Sequence, residues 1–260
     1  MHRSILFVSD FCRLTRYRVF KLSSIVALAA VTIVLGGTHR VDADIIITTP
    51  LGLMPGDTFR IAFLTDSVTT ALSTDIAVYN HFVNAEAGTQ AGGSVTYNGT
   101  LLKFSAIGST PGIDAITNIG QTGASVYLAN GTEVDESDTA AVGGLWSGGL
   151  IHNISKDLNN VVPPSVDGLI WTGTLPNGLA YTDAPLGTPD PAVGTPMFIN
   201  PGYWVTFGLT GEQSLHQMYG ISQALTVVPE PASIVLCLSA AGCGAVGAYV
   251  RRRRAARRVH

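Results

Sequence analysis

The stretch STDIAVYNHFVNAEAG, Ser73 to Gly88, decides the fold, because it is the one strong helix signal between residues 44 and 228. Ser73, Thr74 and Asp75 offer the side-chain oxygens that cap a helix N-terminus. Ile76, Tyr79, Val83 and Ala87 then recur at helical spacing, with Phe82 beside them, and Gly88 is where the run is expected to stop. Everything around this helix reads as short strands. On the N-terminal side, Ile45-Ile46-Ile47 is a first strand, Pro55-Gly56-Asp57 a turn, and Thr58 to Leu64 an alternating strand. On the C-terminal side, small residues (Ala91-Gly92-Gly93-Ser94) lead to strands at Val95–Tyr97 and Leu101–Ile107, joined through the hairpin dipeptide Asn98-Gly99. SVYLANGTEV, Ser125 to Val134, is a second hairpin that turns at Asn130-Gly131, and GYWVTFGLT and YGISQALTVV read as two more strands. Many short strands, one good helix and long Gly/Pro loops predict a single α+β domain, mostly β, over 44–228.

The segments outside that domain carry targeting chemistry. Arg13, Arg16, Arg18 and Lys21 form a basic region, Leu22 to Leu35 an apolar one, and Val41-Asp42-Ala43 puts small residues at the −3 and −1 positions of a cleavage site. This predicts a signal peptide over 1–43, cut after Ala43, with an uncleaved anchor as the competing reading. At the other end, Ala232 to Val250 is 19 residues without a charge. As a helix it would span about 28 Å, close to the hydrocarbon thickness of a bilayer. Arg251, Arg252, Arg253 and Arg254 follow at once and would stay on the cytoplasmic side. Pro229-Glu230-Pro231 precedes the span.

This order of parts over 229–260 resembles the PEP-CTERM sorting domain. The resemblance implies recognition of the tail by an exosortase, a membrane protease-transpeptidase. It also implies export, anchoring through the 232–250 helix before processing, and a place at the cell surface or in the extracellular matrix of an exopolysaccharide-producing bacterium.

Charge bounds the partners. Between Asp44 and Glu230 sixteen acidic residues face three bases (Arg60, Lys103 and Lys156), a net charge near −13 that the whole-chain value of −3 conceals. Such a domain repels nucleic acid and anionic polymers. Its three cysteines, Cys12, Cys237 and Cys243, all fall in the targeting segments, so the domain must fold without disulfides. At this length it can bury enough apolar surface to do so.

Within the domain, the order of elements resembles the endostatin-like branch of the C-type-lectin-like fold. The elements are YNHFVNAEAG, KFSAIGS, VYLANGTEV, LWSG and IWTGTLPNG. The chain departs from that pattern in having no disulfide cysteines, no arginine-rich surface and no His-rich N-terminus. The resemblance therefore implies the fold and none of the binding sites.

The domain carries few residues in catalytic patterns. His81, His152 and His216 form no HExxH, and no Gly-x-Ser-x-Gly occurs. The domain is expected to be non-catalytic, with a structural or adhesive role; dispersed carboxylates keep a hydrolase as a third reading. Glu133, Asp135, Glu136 and Asp138 in EVDESD could share a calcium ion, which prefers several carboxylate oxygens on a loop. A solvated acidic loop is the plainer reading. Asn98, Asn130 and Asn153 match the glycosylation pattern and read as turn residues. Trp146 and Trp171, in Gly-flanked segments, could stack on sugars in a lectin-like, calcium-assisted site; core packing is the plainer reading, because each follows an apolar residue in a strand-like run.

Overall fold

The structure, a computed structural model, describes residues 44–229 except 148, 165–167 and 201. The cleavage residue Ala43, Glu230, Pro231, the 232–250 span and Arg251–Arg254 lie outside the described residues. Among the described residues no helix is long and apolar enough to cross a membrane.

The elements bear out an α+β, mostly β, architecture. In chain order they are β1 (Ile45–Ile46), β2 (Thr58–Leu64), α1 (Ile76–Ala91), β3 (Val95–Tyr97), β4 (Thr100–Leu101), β5 (Phe104–Ala106) and α2 (Ala115–Ile119). There follow β6 (Ser125–Tyr127), β7 (Glu133–Asp135), β8 (Ile170–Trp171), β9 (Ala192–Gly194), β10 (Gly208–Leu209), β11 (Gln217–Ser222) and β12 (Leu225–Thr226). Nine strands form one mixed sheet, with the order β10-β9-β8-β11-β2-β6-β7; β5 joins β11 and β12 joins β2. β1, β3 and β4 make a small separate sheet.

β2 and β11 are the two longest strands and pair antiparallel at the middle of the large sheet. Six of the seven residues of β2 are buried, so both of its faces are covered. Phe59, Ile61 and Phe63 join one core cluster, with Tyr79, Val83 and Ala87 of α1. Ala62 and Leu64 point the other way, into a second cluster with Trp146, Trp204 and Tyr219. This is the period-2 alternation of a strand buried on both sides. Helix and sheet meet at Gly220: a Cβ there would collide with the Phe63 ring and with Val83.

The helix begins where the sequence predicts, with the Asp75 carboxylate accepting from the Ala77 N–H at 2.9 Å. It ends later than expected. Gly88 lies inside it, and the left-handed residue that closes it is Gly92, at φ 65°. The extra turn is held by tertiary contacts. The Gln90 amide donates to Leu64 O at 3.2 Å and accepts from Leu158 N–H at 3.0 Å, while Ala91 packs in the core. The Asn98-Gly99 turn has both residues at positive φ, 48° and 75°, as a two-residue hairpin requires. The strand expected from GYWVTFGLT shrinks to Gly208–Leu209, because the segment before it is a loop folded around Trp204.

Candidate functional site

Two regions of the large sheet carry unusual side chains. The first lies toward the β7 edge. Arg60, on β2, is 2 % exposed, so its guanidinium must be answered inside the protein. It donates to Ser222 O (2.7 Å), Gly120 O (2.7 Å), Ile119 O (2.8 Å) and the Asp138 carboxylate (2.8 Å). Asp138, wholly buried, also accepts from Thr122 Oγ1 at 2.7 Å and from the Thr122 and Gly123 N–H groups. One base thus ties β2, the end of β11, the C-terminal end of α2 and the segment after β7.

This corrects the reading of EVDESD as a solvated loop. Glu133 to Asp135 is strand β7, and only Glu136 is exposed. Glu133 approaches the Tyr127 hydroxyl at 3.4 Å, and Asp138 faces Arg60. Asp135 is buried with its Oδ2 unpartnered, and burial pushes its carboxyl up to about 6 against backbone N–H groups that lower it. The four carboxylates candidate for calcium are therefore split among separate tasks. No group of three or more His, Cys, Asp or Glu side chains able to hold a metal ion occurs among the described residues.

The glycan-stacking candidates are corrected likewise. Trp171 is wholly buried; its indole N–H donates to Thr69 O at 2.8 Å and its ring meets His216. Trp146 is buried against Trp204, ring centroids 5.5 Å apart. Both are drawn inside because the two faces of the sheet need large apolar side chains to fill them.

The second region is the β9–β10 edge, where the loop between those strands shows the opposite behaviour. Trp204 anchors it, buried against Trp146 and Tyr219. Gly194 on β9 lets the Trp204 backbone come so close that a Cβ would clash with it. Further hydrogen bonds pin the loop: Thr195 N–H to Tyr203 O, Phe207 N–H to Val193 O, and Leu150 N–H to Ile199 O. With Trp204 and Val205 turned in, the other aromatic residues of the loop are turned out. Phe198, Tyr203 and Phe207 are 44, 49 and 51 % exposed and touch one another, with ring centroids 5.8 to 6.1 Å apart. Met197 and Ile199 in the same loop, and Leu209 just after it, are also exposed. A groove of about 520 Å³ opens at the start of the same loop, lined among others by Asn153, Ser155, Val162, Pro196 and Met197.

No family model matches the chain, and no curated protein matches it.

Sequence reading missed this face. The signal was present, since Pro191 to Gly211 holds three further exposed aromatics and no charged residue. Which aromatic turns inward, however, depends on Gly194, Trp146 and Tyr219, all outside the loop, and Trp146 lies far away in the sequence.

Proposed function

We propose that the chain is an exported, non-catalytic surface or matrix protein, which an exosortase-type protease sorts through Pro229-Glu230-Pro231 and the tail that follows. Its domain, read as C-type-lectin-like, holds to extracellular polysaccharide through the face around Phe198, Tyr203 and Phe207. One observation carries the adhesive part: three mutually braced aromatic rings stand exposed on an acidic domain whose three tryptophans, Trp146, Trp171 and Trp204, are buried. Exposed aromatic clusters of this kind mark contact surfaces. The reading needs no calcium, since Asp138 already answers Arg60.

Two comparisons in a polysaccharide-secreting host test it. Replacing Pro229-Glu230-Pro231 by alanines should leave the precursor in the membrane fraction; release at the wild-type rate removes the tripeptide from the account. Replacing Phe198, Tyr203 and Phe207 by alanine should leave export intact and shift the protein from the matrix to the medium. Unchanged matrix retention of that variant refutes the adhesive role of this face.

A further inference from the structure

We infer that the ligand of the β9–β10 face is a neutral polysaccharide chain of pyranose units, bound across the aromatic trio with its hydroxyls reaching the adjoining groove. The inference rests on the adhesive reading above and adds the chemistry of what is held.

Charge selects the ligand. Sixteen acids and three bases lie between residues 44 and 230, yet no charged residue occurs from Pro191 to Gly211. The residues lining the groove, Asn153, Ser155, Pro196 and Met197 among them, are uncharged as well. An anionic polysaccharide would meet the field of the acidic domain, and Lys156, next to Ser155 in the chain, already gives its ammonium to Asn160 Oδ1 at 3.0 Å. A cationic partner would be drawn to the carboxylates elsewhere. A neutral chain pays neither cost.

The side chains suit a sugar in two ways. Aromatic faces carry negative charge density, which attracts the C–H groups on the apolar face of a pyranose ring. Asn153 and Ser155 supply groups of mixed donor and acceptor character, which hydroxyls match. The Asn153 amide gives one N–H to Pro196 O at 2.7 Å, and its Oδ1 lies 3.2 Å from the Ser155 hydroxyl. That leaves one amide N–H and spare lone pairs for a ligand. Pro196 and Met197, which wall the groove, lead directly into Phe198, so one chain can follow both. Because Trp204 and the Gly194 contact fix the loop, little ordering is left to occur on binding.

The test is co-sedimentation of the full chain, in a mild non-ionic detergent, with insoluble β-glucan, xylan and mannan, and with alginate beads as the anionic arm. Wild type should pellet with at least one neutral polymer and not with alginate. Binding should fall at least tenfold in Phe198→Ala/Tyr203→Ala/Phe207→Ala and stay near wild type in Val142→Ala, an exposed apolar position in the segment after β7. Circular dichroism confirms that each variant is folded. Binding only to alginate, binding to none of the polymers, or full binding by the triple variant each overturns the proposal. Concentration-dependent self-association, abolished by the triple variant with no glycan bound, overturns it in favour of a second copy of this chain. Matrix retention that still needs the three rings, without neutral-glycan binding, removes the ligand proposed here and leaves the adhesive reading standing.

Discussion

The Arg60–Asp138 knot and the Phe198–Tyr203–Phe207 face reverse the usual placement of side chains. Toward the β7 edge a full ion pair is buried; at the β10 edge three aromatic rings are exposed. The difference lies in what surrounds each. Every polar atom of the Arg60 guanidinium is engaged by carbonyls or by Asp138, so the charge is satisfied inside the fold. The three rings lean on one another and keep about half of their surface in solvent. The first region is explained wholly by architecture: it joins segments up to 162 residues apart. The second leaves its rings open to solvent, and the proposed adhesive role rests on that contrast.

If the knot belongs to the architecture, breaking it must cost most. Asp138→Asn or Arg60→Ala leaves a buried charge without its partner and should destabilise by about 3–5 kcal/mol. In a domain of this size that is a drop of about 2–4 °C in melting temperature per kcal/mol. The double replacement Arg60→Met/Asp138→Leu should cost less than the two single losses added together, because both charges leave at once while the same backbone carbonyls lose their donor as in Arg60→Ala. Strictly additive losses would show that the pair is not the unit we take it to be. On the opposite face of the sheet, Val83→Asp places an unpaired charge beside Gly220 and Phe63 and should cost on the order of 3–5 kcal/mol by denaturant unfolding.

Asp135 sharpens the comparison, since it is the buried acid of that region that no base answers. Its carboxyl is pushed up to about 6, mainly by burial, from an unfolded value near 3.9. The neutral form therefore favours the fold. Its contribution is complete below about pH 4 and is lost as pH rises through about 6. Asp135→Asn should be the more stable protein above pH 6, by on the order of 1–2 kcal/mol, and lose that advantage toward pH 4. Melts from pH 4 to 8 on both proteins check the sign; a variant less stable than wild type at pH 7 would refute it. The smallest effects belong to the aromatic face, where Phe198→Ala, Tyr203→Ala and Phe207→Ala should each cost about 1 kcal/mol or less.

The two regions also differed in how far the sequence could reveal them. β2 was legible to the residue, and both Asn-Gly turns were placed correctly, because strand alternation and turn chemistry are local. The start of α1 was legible for the same reason. Its end was not, because Gly88 is carried into the helix by contacts from Gln90 to Leu64 and Leu158. The five-residue helix α2 has too little periodicity to be seen in advance. The fate of EVDESD was hidden as well: an acidic run reads as solvated until Arg60, 78 residues earlier, is known to reach Asp138. The aromatic face was the least legible, since MFINPGYWVTF does not say which ring is the anchor.

The most direct test of this division sets Asp138→Asn against the triple alanine variant of Phe198, Tyr203 and Phe207, each measured for melting temperature and for polysaccharide retention well below its melt. The account predicts a crossed result. Asp138→Asn should melt far below wild type yet bind as wild type does, whereas the triple variant should melt within a few degrees for each ring lost and not bind. Loss of binding in proportion to loss of stability in both proteins would contradict it, because the aromatic face would then be one more part of the fold.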